Sequence, residues 1–406
     1  MKTILIISWR NLWRNRKRTL ITVSSVFFAL IFVVLTRSLQ IGSYEHMING
    51  MTGMYTGHVQ VSAAGFNDNR SLDRTLIHSE ELLEKLYSSN EARFIIPRFE
   101  SFALAAGTDR SRPVMVIGTV PETEDRMTGF KDNIVEGRFI TSSDNGIVIG
   151  QRLASQLRVS AGDSLVFLGQ GYMGVSAANI FEVTGIAHIP IPELNSRMVM
   201  MPLAAAQDFY AAEGRLTSYV VMLDDIKLTD RFAAAAENLL GEDYDVEVWT
   251  EILKEIVQQI KADEIQGFVV IWLLYVIVGF GIFGTVLMMT KERQKEFGVM
   301  LAVGMKRIKM CFMVFTESVI ISFIGVTAGF VASIPVLLYF RLFPISFSGD
   351  MADMMIQMGW EPIMPVSFAH NVFTTQMIVI FLISAAVSFY PIIVIAVMKP
   401  VKAMKQ

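Results

Sequence analysis

Residues 265–289 read IQGFVVIWLLYVIVGFGIFGTVLMM and contain no Asp, Glu, Lys or Arg. A helix that crosses the hydrocarbon core of a bilayer needs about 20 mostly apolar residues, so this stretch predicts a membrane span. Three other stretches, residues 19–35, 308–340 and 374–397, have a similar character. The sequence therefore predicts an α-helical membrane protein with four transmembrane helices. The third is longer than a bilayer requires, and we expect it to be tilted, broken or extended beyond the membrane.

The overall composition agrees with a membrane location. Of the 406 residues, 52% are hydrophobic and 18% are charged, whereas soluble domains usually have about 25% charged residues. The single cysteine, Cys311, excludes a disulfide within the chain. The four spans leave enough residues for at least one sizeable folded domain.

Basic residues are concentrated before the first span, between the second and third, and after the fourth. They are Lys2, Arg10, Arg14, Arg16, Lys17, Arg18, Lys291, Arg293, Lys295, Lys306, Arg307, Lys309, Lys399, Lys402 and Lys405. The positive-inside rule then predicts that both termini are cytoplasmic and that residues 41–263 face outward. We expect residues 19–35 to be an uncleaved anchor, because this run is longer than a signal-peptide core and no A-x-A site follows. Since the basic N-terminal segment adjoins a span, we expect no nucleic-acid partner.

The outward region predicts a mixed α and β fold. Helix signals begin at Ser79 and near Thr229, and the second helix is expected to end at Gly241. A helical stripe from residue 251 runs into the second span, which suggests either a continuous stalk or an ordinary amphipathic helix. The predicted strands are residues 58–62, 93–96, 114–120, 146–149, 164–168, 180–183, 198–201, 218–223 and 246–249.

Two glycine patterns in the spans predict close helix packing. Gly279-x-Gly281-x-x-Gly284 has the spelling of a dinucleotide fingerprint but lacks the preceding strand, so packing through small residues is the better interpretation. Gly325 and Gly329 form a small-xxx-small pair with the same meaning.

The sequence contains no G-x-x-x-x-G-K-[ST] pattern, no metal-ligand spacing among its histidines and no recognisable nucleophile with its base. We therefore expect a non-catalytic chain without a cofactor or metal of its own.

Glu317 is the one carboxylate within a predicted span. Charges inside a membrane are costly and often functional. The alternative is that Glu317 lies near the cytoplasmic interface and pairs with a nearby Lys or Arg.

The loop KERQKEFGVMLAVG, residues 291–304, predicts a short amphipathic helix. Thr290 is a plausible N-cap, and Gly304 is placed to end the helix. Phe297, Met300 and Leu301 form an apolar face that could lie on the membrane or dock in a partner's groove.

This loop resembles the coupling segment of the FtsX-like permease family, E-R-x-x-E-[FI]-G-x-L-x-A-x-G, with Met300 in place of the usual Leu. The matching residues are Glu292, Arg293, Glu296, Phe297, Gly298, Ala302 and Gly304. The N-terminal segment 9–19 resembles the family's amphipathic helix, and the residues Glu317, Gly325, Gly329, Tyr390-Pro391 and Pro400–Met404 resemble its last two spans.

The outward region resembles a MacB-type periplasmic core domain. The stretches concerned are 57–61, 135–139, 150–154, 162–163, 201–203 and Trp249. The resemblance implies three regions: residues 1–40 with a cytoplasmic amphipathic helix and the first span, residues 41–263 as a periplasmic α+β domain, and residues 264–406 as an FtsX-like domain. The last would hold spans 265–289, 308–340 and 374–397 and the coupling helix 291–304.

The resemblance further implies a permease of the cell inner membrane that pairs with a second permease and with a separate ABC ATPase, which binds the ATP. Glu292, Arg293, Glu296, Phe297, Gly298, Leu301 and Gly304 would couple the chain to that ATPase. Within the family, the chain is most similar to the lipoprotein-releasing Lol permeases, which pass lipoproteins to a periplasmic chaperone. Phe28, Phe32, Phe268 and Trp272 would then line a cavity for acyl chains.

One loop departs from the Lol pattern. Residues 169–176, GQGYMGVS, lack the Pro and Arg residues expected of a chaperone-recruiting hook. Three alternatives therefore stand beside lipoprotein extraction by a recruiting subunit: a non-recruiting subunit or homodimer, a MacB-like tripartite exporter with a periplasmic adaptor, and a signalling subunit that controls a cell-wall hydrolase.

Overall fold

A computed structural model describes residues 2–14, 16–89, 91–357 and 362–398, and the side chains of residues 2–5, 18 and 357 lie outside this description. The basic residues Lys399, Lys402 and Lys405 and the family-like segment Pro400–Met404 also lie outside the described residues. The chain forms two compact units. The helical unit contains Met1–Glu45, Gln259–Ser346 and Ile363–Gln406, and the α/β unit contains His46–Gln258 and Phe347–Pro362.

The described helices are numbered in chain order. They are α1 (Lys2–Arg14), α2 (Arg16–Met51), α3 (Phe66–Asn69), α4 (Glu80–Tyr87), α5 (Pro121–Thr128), α6 (Gln151–Leu157), α7 (Pro192–Arg197), α8 (Leu203–Phe209), α9 (Thr229–Leu240), α10 (Trp249–Ile252), α11 (Lys254–Glu292), α12 (Gln294–Ala302), α13 (Arg307–Leu342), α14 (Asp350–Gln357), α15 (His370–Val387) and α16 (Phe389–Val397).

The described strands are numbered in the same way. They are β1 (Val59–Ala63), β2 (Leu76–Ile77), β3 (Ala92–Ala106), β4 (Ser111–Thr119), β5 (Ile134–Gly137), β6 (Ile147–Gly150), β7 (Ser164–Gln170), β8 (Ser176–Ala187), β9 (Met198–Pro202), β10 (Arg215–Leu216), β11 (Ser218–Leu223), β12 (Tyr244–Val248), β13 (Ile345–Ser346) and β14 (Ile363–Met364).

Four helical segments are long and apolar enough to cross a membrane, as predicted: Thr19–Thr56, Lys254–Glu292, Arg307–Leu342 and His370–Val397. The first two are longer than the predicted spans 19–35 and 265–289. The fourth bends at Ser388 between α15 and α16, because Pro391 has no N–H to donate to the carbonyl four residues before it. The division into units falls inside α2 and α11, and it groups Phe347–Pro362 with the α/β unit, whereas the sequence had grouped them with residues 264–406.

The core of the helical unit lies where α2, α11, α13 and α15 meet. Its buried members are Val26, Leu30, Val33, Val34, Ile282, Val286, Val326, Leu337, Val372, Phe373 and Ile380. A Cβ atom on Gly325 would lie 2.8 Å from Cβ of Val26, and one on Gly329 would lie 3.0 Å from the Phe27 carbonyl oxygen. The predicted small-residue packing of α13 is therefore confirmed, since a larger side chain would push α2 away.

Gly279, Gly281 and Gly284 of α11 behave differently. A Cβ atom on Gly281 or Gly284 would have no described atom within 4 Å, and one on Gly279 would meet only the Ile383 side chain, at 3.4 Å. Within the described chain, the prediction of close packing is therefore wrong for Gly281 and Gly284, whereas Gly279 lies against Ile383 of α15. Gly281 and Gly284 are exposed, so spacing alone does not identify a contact.

The α/β unit is built on a ten-stranded mixed sheet with the order β12-β1-β11-β3-β4-β9-β6-β8-β5, in which β7 pairs with both β3 and β8. Helices α4 and α9 cover one end of the sheet through Leu82, Leu86 and Phe232. Helices α6 and α8 cover the other end through Leu153, Leu157 and Phe209 among others. This is the predicted α+β architecture, with helices packed on the sheet.

A buried ion pair lies inside the α/β unit. Arg98, fully buried on β3, donates from Nε to Oε2 of Glu124 on α5 at 3.0 Å, and its Nη2 pairs with the other carboxylate oxygen. Its Nη1 donates to the Tyr55 carbonyl, while Thr119 donates to Glu124 at 2.8 Å. The pair thus ties the turn after α2 to β3, β4 and α5.

The connection from α2 into the sheet turns at one glycine. A π-helical turn, Thr52–Thr56, follows α2, and Gly57 then adopts φ 65° and ψ −170° before β1 begins. This region of backbone space is essentially confined to glycine. A Cβ atom on Gly57 would also lie 2.5 Å from Cγ1 of Val220.

Candidate functional site

The segment between α11 and α13 forms the candidate coupling site. α11 continues through Glu292, the chain bends at Arg293 (φ −93°, ψ 0°), and α12 follows. The prediction of Thr290 as an N-cap is wrong: Thr290 lies inside α11 and donates to the Val286 carbonyl at 2.7 Å. Nothing at position 290 interrupts the helix, whereas the buried side chain of Arg293 coincides with the bend. Gly304, with φ 101°, lies just beyond the end of α12, as predicted.

The apolar face of α12 packs on the chain itself. Phe297 is 1% exposed and belongs to a cluster with Met310, Met313, Val314, Ile395 and Met398. Met300 and Leu301 pack against the same cluster, and Gly298 is buried. These residues therefore fix α12 to α13 and α16, and they leave no apolar groove-docking face at the predicted positions.

The opposite side of α12 is open. We define the exposed face of α12 as Lys295, Val299 and Ala302 together with Val303, the residue that follows the helix, which is 84% exposed. Ile308, at the start of α13, is also exposed, by 83%. Exposed valines next to a lysine could contact another protein. The sequence did not predict this face, because the docking side of the helix was assigned to the side where apolar residues cluster.

Charged residues link α12 to α13 and α1. Arg293 Nη1 lies 2.7 Å from Glu317 Oε1, and both side chains are almost fully buried. Arg293 Nε lies 3.5 Å from Glu296 Oε2, and Glu296 Oε2 lies 3.6 Å from Nη2 of Arg14. We call these four residues the coupling network. The interpretation of Glu317 as the partner of a nearby basic residue is confirmed. Glu292, at the end of α11, is exposed.

Helix α1 is amphipathic, as the family resemblance implied. Ser8 is buried and donates to the Met313 carbonyl at 3.2 Å, and Leu12 packs with Met289 and Ile321. Trp9 and Trp13 are exposed, with their ring centroids 6.0 Å apart. Apolar side chains next to the basic residues of α1 are typical of a helix in the membrane interface.

The four residues proposed for an acyl-chain cavity are all exposed. Phe28 and Phe32 lie one turn apart on α2, Phe268 and Trp272 lie one turn apart on α11, and their exposed fractions range from 56% to 68%. Only 17% of the most apolar stretch of α11 is buried, compared with 28–33% in the other three spans. These aromatic side chains are therefore available to lipid, to cargo or to another chain.

The loop at the position of the chaperone hook is a short hairpin turn. β7 and β8 pair from Ser164↔Glu182 to Gln170↔Ser176, and Met173 and Val175 are exposed at the tip. Met173 has φ 53°, a left-handed backbone conformation that is uncommon for residues other than glycine. The turn is thus apolar, and its backbone is held by a hydrogen bond from the Met173 N–H to Asp73 at 2.9 Å.

Two family models match this chain. The model described as "FtsX-like permease C-terminal" matches residues 268–400, and the model described as "MacB-like periplasmic core domain" matches residues 19–239. The first therefore includes the candidate coupling site, and the second covers more than half of the chain.

Two curated relatives are similar over much of the chain. "Macrolide export ATP-binding/permease protein MacB" of Bordetella avium (strain 197N) is 24% identical over 338 residues, which cover 79% of this chain and 50% of that protein. "Uncharacterized ABC transporter permease protein Rv0987" of Mycobacterium tuberculosis is 23% identical over 250 residues, which cover 59% of this chain and 28% of that protein. The chain therefore spans half or less of the length of these relatives.

Two solved structures are also similar. The extracellular domain of the transporter YknZ from Gram-positive bacteria has a TM-score of 0.34 and 13% identity, covering 47% of this chain and 98% of that domain. The periplasmic region of MacB from Actinobacillus actinomycetemcomitans has a TM-score of 0.35 and 15% identity, covering 51% of this chain and 95% of that region.

Proposed function

Since this chain belongs to the family of ABC transporter permeases with a MacB-like periplasmic core domain and an FtsX-like C-terminal region, we propose that it couples to a separate ABC ATPase through α12. ATP binds to that ATPase, and this chain is the non-catalytic permease subunit. It lies in the cell inner membrane with both termini and α12 on the cytoplasmic side and residues 41–263 on the periplasmic side. The distribution of Lys and Arg supports this orientation.

The observation that carries the proposal is the arrangement of α12. Its apolar side is anchored through Phe297 in the core of the helical unit, while Val299 and Val303 remain exposed. A short helix that is firmly held on one side and apolar on the other can receive a force from a partner and pass it on. Its neighbours α11 and α13 are spans, so movement of α12 reaches the membrane directly.

A second permease completes the transporter in this proposal. The low burial of α11 supports it, because a span of this length usually packs on others through close contacts. The second subunit is either an identical chain or a related one.

We propose lipoprotein extraction as the work that this coupling drives. Phe28, Phe32, Phe268 and Trp272 are exposed on the first two spans and offer apolar surface for acyl chains. The cargo leaves the membrane on the periplasmic side, where a chaperone receives it.

Export of the MacB type is the second candidate. It is supported by the relative named as a macrolide export protein and by the match of residues 19–239 to the MacB-like periplasmic core domain. This candidate requires a periplasmic adaptor in place of a lipoprotein chaperone. Signalling to a cell-wall hydrolase is a third, and it predicts neither lipoprotein cargo nor an adaptor.

The docking role is tested by changing the exposed face of α12. The protein is isolated from native membranes in mild detergent, and the associated chains are identified by mass spectrometry. We expect an ABC ATPase with the wild type and a loss of about tenfold or more with Val299→Glu plus Val303→Glu, because interface centres tolerate buried charge poorly. Met354→Glu, an exposed apolar residue on α14, is the control.

Two results would contradict this role. One is unchanged recovery of the ATPase with the double variant. The other is the absence of any ATPase from wild-type preparations under conditions that preserve other ABC complexes. Recovery of acylated lipoproteins in the same preparation favours extraction, whereas recovery of a periplasmic adaptor favours MacB-like export.

The cavity is tested by replacing Phe28 and Trp272 with Asn. We expect ATP-dependent release of lipoproteins from proteoliposomes to fall about tenfold or more while the ATPase remains bound, since an amide is unfavourable next to acyl chains. Phe323→Asn plus Val331→Asn, two exposed positions on α13, controls for the cost of polar groups in a span. Normal release of lipoproteins by the Phe28 and Trp272 variant would contradict the assignment of these residues to an acyl-chain cavity.

A further inference from the structure

The coupling network contains most of the unsatisfied buried polar atoms of the described chain. Six buried side-chain atoms have no hydrogen-bond partner in the described residues, and four of them lie here: Nε and Nη2 of Arg293, Oε2 of Glu296 and Oε2 of Glu317. A fifth, Oγ of Ser318, belongs to the residue that follows Glu317. Native proteins usually satisfy buried polar groups, and exceptions concentrate where a structure has a function to perform or a second state to reach. The cluster therefore needs an explanation beyond fold stability.

The geometry of Arg293 shows what is left unused. Among the described residues, only Nη1 of Arg293 has a hydrogen-bond partner, which is Oε1 of Glu317 at 2.7 Å. An arginine and a carboxylate can form two parallel hydrogen bonds, but here the second pair of atoms stays open. Arg293 Nε points to Glu296, and their separation of 3.5 Å is longer than the 2.7–2.9 Å of a charge-assisted hydrogen bond.

The position of Arg293 indicates which movement would change its contacts with the two carboxylates. It lies at the bend between α11 and α12, Glu296 belongs to α12 itself, and Glu317 belongs to α13. The guanidinium also lies 5.1 Å from the centre of the Phe297 ring, which anchors α12. A change in the angle of α12 therefore alters the distance to Glu296 while the bond to Glu317 can persist.

We propose that Arg293 is a positioning residue for coupling, a pivot whose guanidinium is shared between Glu317 on α13 and Glu296 on α12. When α12 moves, Arg293 strengthens its contact with one carboxylate as it loosens the other, so α12 turns without detaching from α13. Arg14 Nη2 lies 3.6 Å from the same Oε2 atom of Glu296, and its positive charge favours the charged form of that carboxylate. This inference rests on the proposed function, and it assigns Arg293, Glu296 and Glu317 an internal role in place of contact with the ATPase.

The test compares the wild type with Glu317→Gln, which keeps the size of the side chain and removes its charge. The complex with its ATPase is studied by hydrogen–deuterium exchange, without nucleotide and after trapping with ATP and vanadate. We expect the wild type to show a nucleotide-dependent difference in exchange over residues 293–303. In Glu317→Gln we expect that difference to fall about tenfold while the ATPase still binds.

A structural role alone gives a different pattern. If Glu317 only stabilised the fold, exchange in the variant would rise equally in both nucleotide states and the difference between them would remain. Thr316→Val changes the preceding, partly exposed residue of α13, whose hydroxyl donates to the Phe312 carbonyl of its own helix at 2.7 Å, and it should behave as the wild type.

Arg293→Lys provides a second measurement if Glu317→Gln accumulates poorly. Lysine keeps the charge but cannot present a planar fork to two carboxylates at once, so the nucleotide-dependent difference should again be lost. A full nucleotide-dependent difference in either variant overturns the pivot and leaves the proposed function standing. Failure of the wild type to bind any ATPase overturns the proposed function and the pivot with it.

Discussion

Replacing Arg98 by Met is expected to destabilise the α/β unit by about 3–5 kcal/mol, because it leaves Glu124 buried and charged without its partner. Arg98 is fully buried and Glu124 is 1% exposed. The methionine fills much of the space, so loss of the ion pair and of the hydrogen bond to the Tyr55 carbonyl dominates the effect. The measurement is pulse proteolysis of the full chain in detergent across a urea series.

Two controls make the Arg98 result specific. Arg98→Met combined with Glu124→Gln should recover part of the loss, since the amide needs no counter-charge. Arg138→Met removes an exposed ion pair, in which hydrogen bonds from Arg138 hold the pKa of Asp144 below its usual range. That change should leave the urea midpoint nearly unchanged, because exposed pairs contribute little. An Arg98→Met protein with a wild-type midpoint would show that the buried pair is not needed for stability.

Replacing Gly57 by Ala is expected to destabilise the same unit by about 2–5 kcal/mol, from two separate causes. The backbone angles at Gly57 are unfavourable for any residue with a Cβ atom. The added methyl would also lie 2.5 Å from Cγ1 of Val220 and 2.9 Å from the Val221 carbonyl oxygen, both on β11. The strand cannot yield without disturbing its pairing with β1 and β3.

The matched control is Gly53→Ala, in the π-helical turn just before Gly57. A Cβ atom on Gly53 would meet no described atom within 4 Å, so this change should be neutral or slightly stabilising. Pulse proteolysis in urea distinguishes the two variants. Equal midpoints for Gly57→Ala and Gly53→Ala would contradict the importance of the Gly57 geometry.

Hydropathy and charge were sufficient to predict the four spans, because membrane insertion depends on local composition. Strands of the α/β unit were also predicted from local composition, but the length of β3 was underestimated. Its second half, Ser101–Ala106, has no β-branched residue and is extended because it pairs with β4 and β7. β5 was missed, since three of its four residues are exposed and it has no alternating pattern. In both cases distant pairing, and not local preference, determines the strand.

The candidate site shows a different limit of prediction from sequence. Periodicity correctly identified an apolar face of α12 at Phe297, Met300 and Leu301, but it cannot say what covers that face. In the structure the chain's own α13 and α16 cover it. Arg293 and Glu317 were both singled out from the sequence, yet they are 24 positions apart and no local signal pairs them. A lone acid in a span is the one signal that could have prompted a search for its partner.

The contacts of α11 are distributed unevenly along its length, and this has a consequence for the amplitude of its motion. Ile282, Val286, Met289 and Thr290 are buried near one end, whereas Ile271 is the sole buried residue of the preceding described part. At 1.5 Å per residue, the stretch from Ile282 back to Gln259 is about 35 Å long, so a tilt of about 5° at the held end displaces the other end by about 3 Å. The contact of Gly267 with Gln40 and the partly buried residues Leu274, Tyr275 and Val278 oppose that swing. A rotation of a few degrees at the Ile282 end of α11 becomes a displacement as large as an atom at its Gln259 end.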